Sequence, residues 1–411
     1  MINRLFDEGW VWRDSKADME MIVGQYFSEL FSSNFPTQHD MGKVFEEIQL
    51  KLDINPARFL DTNFFGEDIR RAIFDMFPTK ASRSDSLPAI FFQKYWDPIG
   101  PSVVEACLSG LNDDASVDIA KAIINRFRGA LRGVISDTQC AFVPGRLISD
   151  NTIVGFECLH RLKLRKQKKG SMAIKLDMSK AYDRVEWIFV EGMMRSFGFI
   201  EKRISLIMRC VKSVAYSFLI NWELCGSIKP SRGVRQGYPL SPFLFLFCAE
   251  GLTSLIQQAH KRGVITGFQC SRGGFAVTHL FFTNDSLLFT KANEVNCVAI
   301  KTMLEEYERA SGQVINFSKS AMCVSPSFWA IVGERLASMM GIKLVDCHEN
   351  YLGLPCFTLT NKRKLFATIV DRVWAKIKGW GKKLLSVGGK EVILKAVIRA
   401  SVTLKSRTGP S

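Results

Sequence analysis

Asp177 closes an apolar run, Met172-Ala173-Ile174-Lys175-Leu176, and Asn284-Asp285 is pinched between two more, His279-Leu280-Phe281-Phe282-Thr283 and Ser286-Leu287-Leu288-Phe289-Thr290. Runs of this length and composition read as strands, and a polar pair between two of them reads as a β-hairpin tip. Carboxylates on rigid neighbouring strands are hard oxygen donors of the kind Mg²⁺ takes while keeping part of its water shell. Two such ions about 4 Å apart suit in-line phosphoryl transfer, because together they balance charge on the attacking and leaving oxygens. The chemistry these residues point to is extension of a nucleic acid chain.

The elements that must position them are legible from apolar spacing. Met19 to Phe31 carries Met19, Val23, Tyr26, Phe27 and Leu30 at helical intervals, and Val44 to Leu52 repeats the pattern, so residues 1–60 read as a helical connector. A further helix is expected after Gly66, with Ile69, Ile73 and Phe77 on one face and its end at Pro78. The loop Lys80 to Ser86 then feeds the apolar segment Pro88 to Phe92. Val185 to Phe199 resumes helical spacing and closes at Gly198. Leu240 to Ile256 is apolar enough to raise the question of a membrane. It contains Glu250 and falls short of the roughly 20 residues a span requires, so a buried helix is expected.

Several long strings share a resemblance. Ile174-Lys175-Leu176-Asp177-Met178-Ser179-Lys180-Ala181-Tyr182-Asp183-Arg184-Val185 resembles the first catalytic motif of LINE reverse transcriptases, the polymerases of plant non-LTR retrotransposons. Gly233-Val234-Arg235-Gln236-Gly237-Tyr238-Pro239-Leu240-Ser241-Pro242 resembles the next. Gln139 to Asn151 resembles the fingers motif that guides template, Ser311 to Ser320 the motif with a conserved Lys, and Tyr351-Leu352-Gly353-Leu354-Pro355 with Asp371 to Ala400 the region after the palm.

The resemblance implies an α+β fold. It would be a right-hand polymerase with an antiparallel-sheet palm (171–320), helical but incomplete fingers (61–170) and a helical, basic thumb-like region (321–411). It implies an RNA-directed DNA polymerase that adds deoxynucleotides to a primer 3′-hydroxyl with two Mg²⁺ ions, or Mn²⁺ in their place. Asp177 and Asp285 would hold metal, with Asn284 at a family Asp position. Tyr182 would lie under the incoming sugar and reject a 2′-hydroxyl, Gln236 and Gly237 would approach the nucleotide, and Lys319 would protonate departing pyrophosphate. Arg146, Lys376, Lys378, Lys382 and Lys383 would contact template and primer. The partners implied are an RNA template, a DNA primer and deoxynucleotide triphosphates.

Charge distribution agrees. The chain carries a formal +15, and residues 361–411 hold thirteen Lys or Arg against only Asp371 and Glu391. A solvated helix face would account for this as well as a polyanion does; the motifs favour the polyanion. The eleven Cys contain no Cys-x-x-Cys pair, which argues against a zinc site or a disulfide framework and for free thiols in a reducing compartment. The N-terminus lacks the apolar core of a secretory signal, so an intracellular location, nucleus or cytoplasm, is expected, without a membrane.

Departures from the family pattern bear on activity. Phe282-Thr283-Asn284-Asp285-Ser286 replaces the usual Phe-Ala-Asp-Asp-Ser, and Tyr238 stands where the family has Asp. Lys80-Ala81-Ser82-Arg83-Ser84-Asp85-Ser86 replaces Lys-Ala-Pro-Gly-Pro-Asp-Gly, and a fingers segment is missing near 112–119. Most of these changes, Tyr238 excepted, can each arise by one C-to-T or G-to-A transition, as in a silenced element decaying by cytosine deamination. Neither the endonuclease that usually precedes this domain nor an RNase H after it has a counterpart in these 411 residues. The expected function is thus an impaired reverse transcriptase. A catalytically inactive remnant that still binds nucleic acid is the competing reading.

Overall fold

The structure is a computed structural model. It describes residues 2–48, 62–78, 87–110, 117–164, 170–271, 273–283, 285–326 and 330–348, with 350–352, 354–355, 371 and 374 beyond them. Asn284, the loop 80–86, the segment 112–116 and the lysines at 376, 378, 382 and 383 lie outside the described residues, as does most of the expected thumb.

A small hairpin, β1 (Leu5–Phe6) and β2 (Trp12–Arg13), opens the chain, followed by α1 (Lys16–Phe31) and α2 (Gln38–Glu46). Thr37 begins α2 with a capping box, its hydroxyl taking the Asp40 N–H while Asp40 accepts from the Thr37 N–H. Among the described residues the helices that follow are α3 (Gly66–Phe74), α4 (Ala89–Lys94), α5 (Trp96–Gly110), α6 (Val117–Val134) and α7 (Ile148–Leu164). Ile69 and Ile73 of α3 are buried as their spacing predicts, but Phe77 lies past the helix and is exposed. The apolar segment at Pro88 to Phe92 begins a helix, α4.

The central sheet starts with β3 (Ser171–Ser179), and α8 (Trp187–Ser196), α9 (Glu201–Lys212) and the hairpin β4 (Tyr216–Ile220) with β5 (Glu223–Ile228) come next. Then come α10 (Ser241–Lys261), the short β6 (Phe268–Gln269) and β7 (Ala276–Val277), and the hairpin β8 (His279–Phe282) with β9 (Asp285–Lys291). After α11 (Glu294–Ser311), β10 (Val314–Ile315) and β11 (Ala321–Val324) return to the sheet, and α12 (Ala330–Met340) leads to β12 (Lys343–Leu344). The strand order is β12-β11-β3-β9-β8, with β10 pairing the far end of β3. All neighbours are antiparallel except β11 and β12. The architecture is α+β.

Because side chains alternate along a strand, β3 feeds two cores. Met172, Ile174 and Leu176 join the main core with α8, α10 and α11, while Ala173 faces the smaller one under α7 with Leu159, Leu287 and Phe289. The α10 helix is buried nearly throughout from Ser241 to Ile256, and its single carboxylate, Glu250, accepts from the Ser136 N–H (3.1 Å) and hydroxyl. That satisfies a charge no apolar helix could otherwise bury. Among the described residues no helix is long and apolar enough to cross a membrane.

The N-terminal helices are more than a connector. Met41 and Val44 of α2 are in the main core, and Phe45 stacks on Phe189 of α8 with ring centroids 5.6 Å apart. Of the helix expected from Val44 to Leu52, only Val44 to Glu46 is helical among the described residues, as the end of a helix that begins at Gln38, and its aromatic partner Phe189 comes from over a hundred positions away.

His348, after β12, is buried and donates Nε2–H to the Ala173 carbonyl at 3.1 Å, tying the end of this layer to the central strand. Burial lowers its ionisation to about 4, because an imidazolium there would be desolvated and would also be repelled by Lys175. The unfolded chain takes up this proton below about 6.5. Stability is therefore complete above that value and falls as the pH drops from about 6.5 towards 4, by about 3 kcal/mol for this residue. Urea unfolding across that window should show the fall in the natural chain and a shallower one in His348→Gln, and identical pH profiles would refute the assignment.

Candidate active site

The two aspartates meet through strand register. In the antiparallel pairing of β3 with β9, Ala173 faces Phe289, Lys175 faces Leu287 and Asp177 faces Asp285. All six lie on one face of the sheet, which starts dry under α7 and opens toward the hairpin tip. Cross-strand partners carry their Cβ atoms about 5 Å apart, close enough for two carboxylates to share a cation. Phe282 pairs with Asp285, which leaves only residues 283 and 284 to join the strands. Thr283 has φ +53°, as the first position of a tight primed turn requires, and a β-branched residue holds that conformation at a cost.

Asp177 lies inside its strand rather than at its end, because β10 pairs with Met178 and Ser179. Its main chain is clipped on both sides: its N–H donates to the Ser320 hydroxyl (3.1 Å) and its carbonyl accepts from the Asn316 N–H (2.8 Å). Burial raises its ionisation above the ordinary carboxylate value, and Lys319 and then Lys175 pull it partly back. Lys319 is exposed and stands near enough to act on Asp177. The structure thus brings Asp177, Asp285 and Lys319 together.

Following β3, the chain turns at Lys180 and presents Tyr182, whose ring stacks on Phe245 of α10 at 4.9 Å. Burial pushes its hydroxyl up to about 12, so it stays neutral. The segment 233–234 zips onto this turn: Gly233 N–H donates to Val185 carbonyl (2.7 Å), Val234 N–H to Tyr182 carbonyl (2.8 Å), and Trp187 Nε1–H to Gly233 carbonyl (2.7 Å). Gln236 and Gly237 then emerge exposed, two and three residues beyond the bond to Tyr182. Tyr238 turns inward against Cys210, and burial raises its hydroxyl strongly.

Below the turn is a polar framework that spacing could not reveal. Glu186 and Arg232 form a buried ion pair (3.5 Å), and Glu186 also accepts from Ser33 Oγ (2.6 Å) and Asn34 N–H (2.9 Å). Arg232 donates to the carbonyls of Leu30 (2.9 Å) and Glu29 (3.2 Å). Gln313, fully buried, donates to the Ala181 carbonyl (2.9 Å) and accepts from Tyr307, whose hydroxyl also reaches the Cys248 carbonyl (3.1 Å). Gln313 and Ser320 both stand in the string Ser311–Ser320, whose resemblance points to Lys319 alone.

Arg146 does not fit the expected contact with template. Its guanidinium donates to the carbonyls of Ser136 (2.6 Å), Gln139 (2.7 Å) and Ile135 (2.9 Å) and to Asp137 (2.9 Å). With its terminal N–H groups so engaged, it braces the loop before α7. Trp374 is exposed.

Two carboxylates face each other across antiparallel strands, and the sequence profile described as "Reverse transcriptase (RNA-dependent DNA polymerase)" matches residues 111–355. The chain belongs to the reverse transcriptase family. It is 25% identical over 392 residues to the transposon TX1 uncharacterized 149 kDa protein of Xenopus laevis, covering 84% of this chain and 28% of that protein. It is 27% identical over 208 residues to the retrovirus-related Pol polyprotein from type-1 retrotransposable element R2 of Popillia japonica, covering 47% and 32%. A 69-residue stretch is 42% identical to an uncharacterized mitochondrial protein of Arabidopsis thaliana, covering 17% and 57%. The chain spans about a third or less of the two transposon relatives. Among solved structures, telomerase from Candida tropicalis with a fragment of telomeric RNA aligns at TM-score 0.43 and 12% identity, over 78% of this chain and 50% of that one.

Two glycines of the Gly233–Pro242 string separate packing from conformation. Both have positive φ (+91° and +83°), but a Cβ at Gly233 would sit 2.6 Å from the Asp183 carbonyl oxygen, while at Gly237 it meets nothing within 4 Å. Gly237→Ala should cost only about 1 kcal/mol, the penalty of a left-handed L-residue. Gly233→Ala must also break the zipper to the Tyr182 turn and should cost several-fold more. Denaturant midpoints compare them directly, and equal losses would mean that the turn is not held as described.

Proposed function

We propose that this reverse transcriptase domain is the polymerase of a LINE-type non-LTR element, copying RNA onto a DNA primer, and that this copy is impaired. The observation that carries the reading is the facing of Asp177 and Asp285 across β3 and β9. The division into fingers (61–170), palm (171–320) and thumb (321–411) is part of the proposal, as is an origin in a plant, which the Arabidopsis match supports.

The donor set fits a divalent metal. Two half-buried carboxylates face each other, and Asp177 is destabilised as an anion by burial that a dication would offset. Mg²⁺ or Mn²⁺ held by Asp177 and Asp285, with the side chain at 284 completing the set, would balance the charge that develops on the reacting phosphate. The chain's own residues do the rest. Tyr182, fixed against Phe245, provides a flat floor for a 2′-deoxyribose and crowds a 2′-hydroxyl. Gln236 and Gly237 offer exposed backbone for a base pair to approach. Lys319 would give a proton to departing pyrophosphate. Template and primer contacts would come from Lys376, Lys378, Lys382 and Lys383 in the strongly basic C-terminal segment, since Arg146 is engaged by main-chain carbonyls.

Asn284 favours a second reading, a remnant that binds primer and template without copying. An amide supplies one neutral oxygen where the family pattern has an anion, and each ~1.4 kcal/mol of lost transition-state stabilisation is tenfold in rate. Primer extension on an RNA template separates the two. Asn284→Asp is expected to raise the rate about 100-fold, and Asp177→Asn to abolish it in either background. Equal rates with and without the Asn284→Asp change would contradict the impairment. Binding without extension in every variant would favour the remnant.

A further inference from the structure

Cys158 lies on the buried side of α7, and Cys270 follows β6 by one residue. The two are 112 residues apart in sequence, yet their Sγ atoms are 3.2 Å apart. Cys158 is fully buried, whereas Cys270 is partly open to solvent. Both sit on the smaller core, among Leu159, Phe268 and Phe289. A disulfide needs sulfurs about 2.05 Å apart, so closing this gap asks for little more than 1 Å of side-chain rotation.

We propose that Cys158 and Cys270 form a dithiol modification site, converted by a small-molecule disulfide into an intramolecular cross-link that clamps α7 to the β6–β7 hairpin. The accessible partner reacts first. Cys270 loses its proton to water, and its thiolate attacks one sulfur of the oxidant. That S–S bond breaks, a small thiolate leaves, and Cys270 is left in a mixed disulfide. Cys158 then attacks the Cys270 sulfur, its proton passing to the second departing thiolate. Two protein thiols are oxidised and one small disulfide is reduced to two small thiols. Burial keeps the Cys158 thiol protonated and out of reach of outside reagents, and its 3.2 Å proximity to the Cys270 sulfur is what lets it give up its proton and attack there.

The clamp would matter to the rest of the sheet. The β6–β7 hairpin packs on β9 through Phe268 and Phe289, whose centroids are 6.1 Å apart, and β9 begins with Asp285. At the other end, α7 holds Asn151, whose amide donates to the Phe281 carbonyl of β8 at 2.7 Å. A cross-link therefore fastens two supports of the same hairpin.

The test uses the full chain, purified reduced, incubated with oxidised glutathione, blocked with N-ethylmaleimide and digested for mass spectrometry. The expected product is a Cys158 peptide joined to a Cys270 peptide. The intact chain should be lighter by two hydrogen atoms and melt at a higher temperature, and dithiothreitol should reverse both. Cys158→Ser should instead retain glutathione on Cys270 and gain no thermal stability. Glutathione retained on Cys270 of the natural chain, both thiols blocked by maleimide, or a cross-link to a different cysteine would each overturn the proposal. The result on the natural chain stands whether or not the variant folds.

Discussion

The register between β3 and β9 is the constraint on which the rest depends. Side chains alternate along a strand, so a slip of one residue would move Asp177 into the main core and turn Ile174 toward the α7 side. The register is held because each face has its own hydrophobic set: Ile174 and Leu288 toward α10 and α11, Ala173, Leu287 and Phe289 toward α7. The carboxylates lie where the second of these stripes runs out of cover. Apolar packing far from the chemistry therefore fixes where the charged groups stand.

Buried polar contacts do for the loops what packing does for the strands. The segments 182–187, 232–234 and 311–320 come from separate parts of the chain and each sends a buried apolar side chain, Val185, Val234 and Ile315, into the main core. They are joined by main-chain bonds and by three side chains taken out of water, Glu186, Arg232 and Gln313. A buried ion pair of this kind contributes little net stability, but losing one partner leaves an unpaired charge. Its contacts tie the turn that carries Tyr182 to the end of α1 through Ser33, Asn34 and the carbonyls of Glu29 and Leu30.

Much of this was legible in the sequence. The β8–β9 hairpin, β3 and the buried α10 helix are written in local periodicity and run length, and the site aspartates stand in continuous motifs. What was not legible is long-range. The extension of β3 past Asp177 is due to β10, more than 130 residues later. The membership of α2 in the core depends on α8 and α10. Arg146 in a turn resembles a surface arginine ready for phosphate, and only the fold reveals the carbonyls that claim it. Glu186 and Arg232 carry no local signal, since a charged residue in a sequence does not announce that it will be buried.

The central claim is that Asp177 and Asp285 act as one ligand set. Electron paramagnetic resonance of Mn²⁺ bound to the chain with primer, template and nucleotide, carried out as a double-substitution cycle, tests it most directly. Asp177→Asn and Asp285→Asn should each remove the bound Mn²⁺ signal, and the double variant should lose no more than either alone. Losses that simply add, each single variant keeping a substantial share of the signal, would mean that the two carboxylates bind independently and that the register does not build the site.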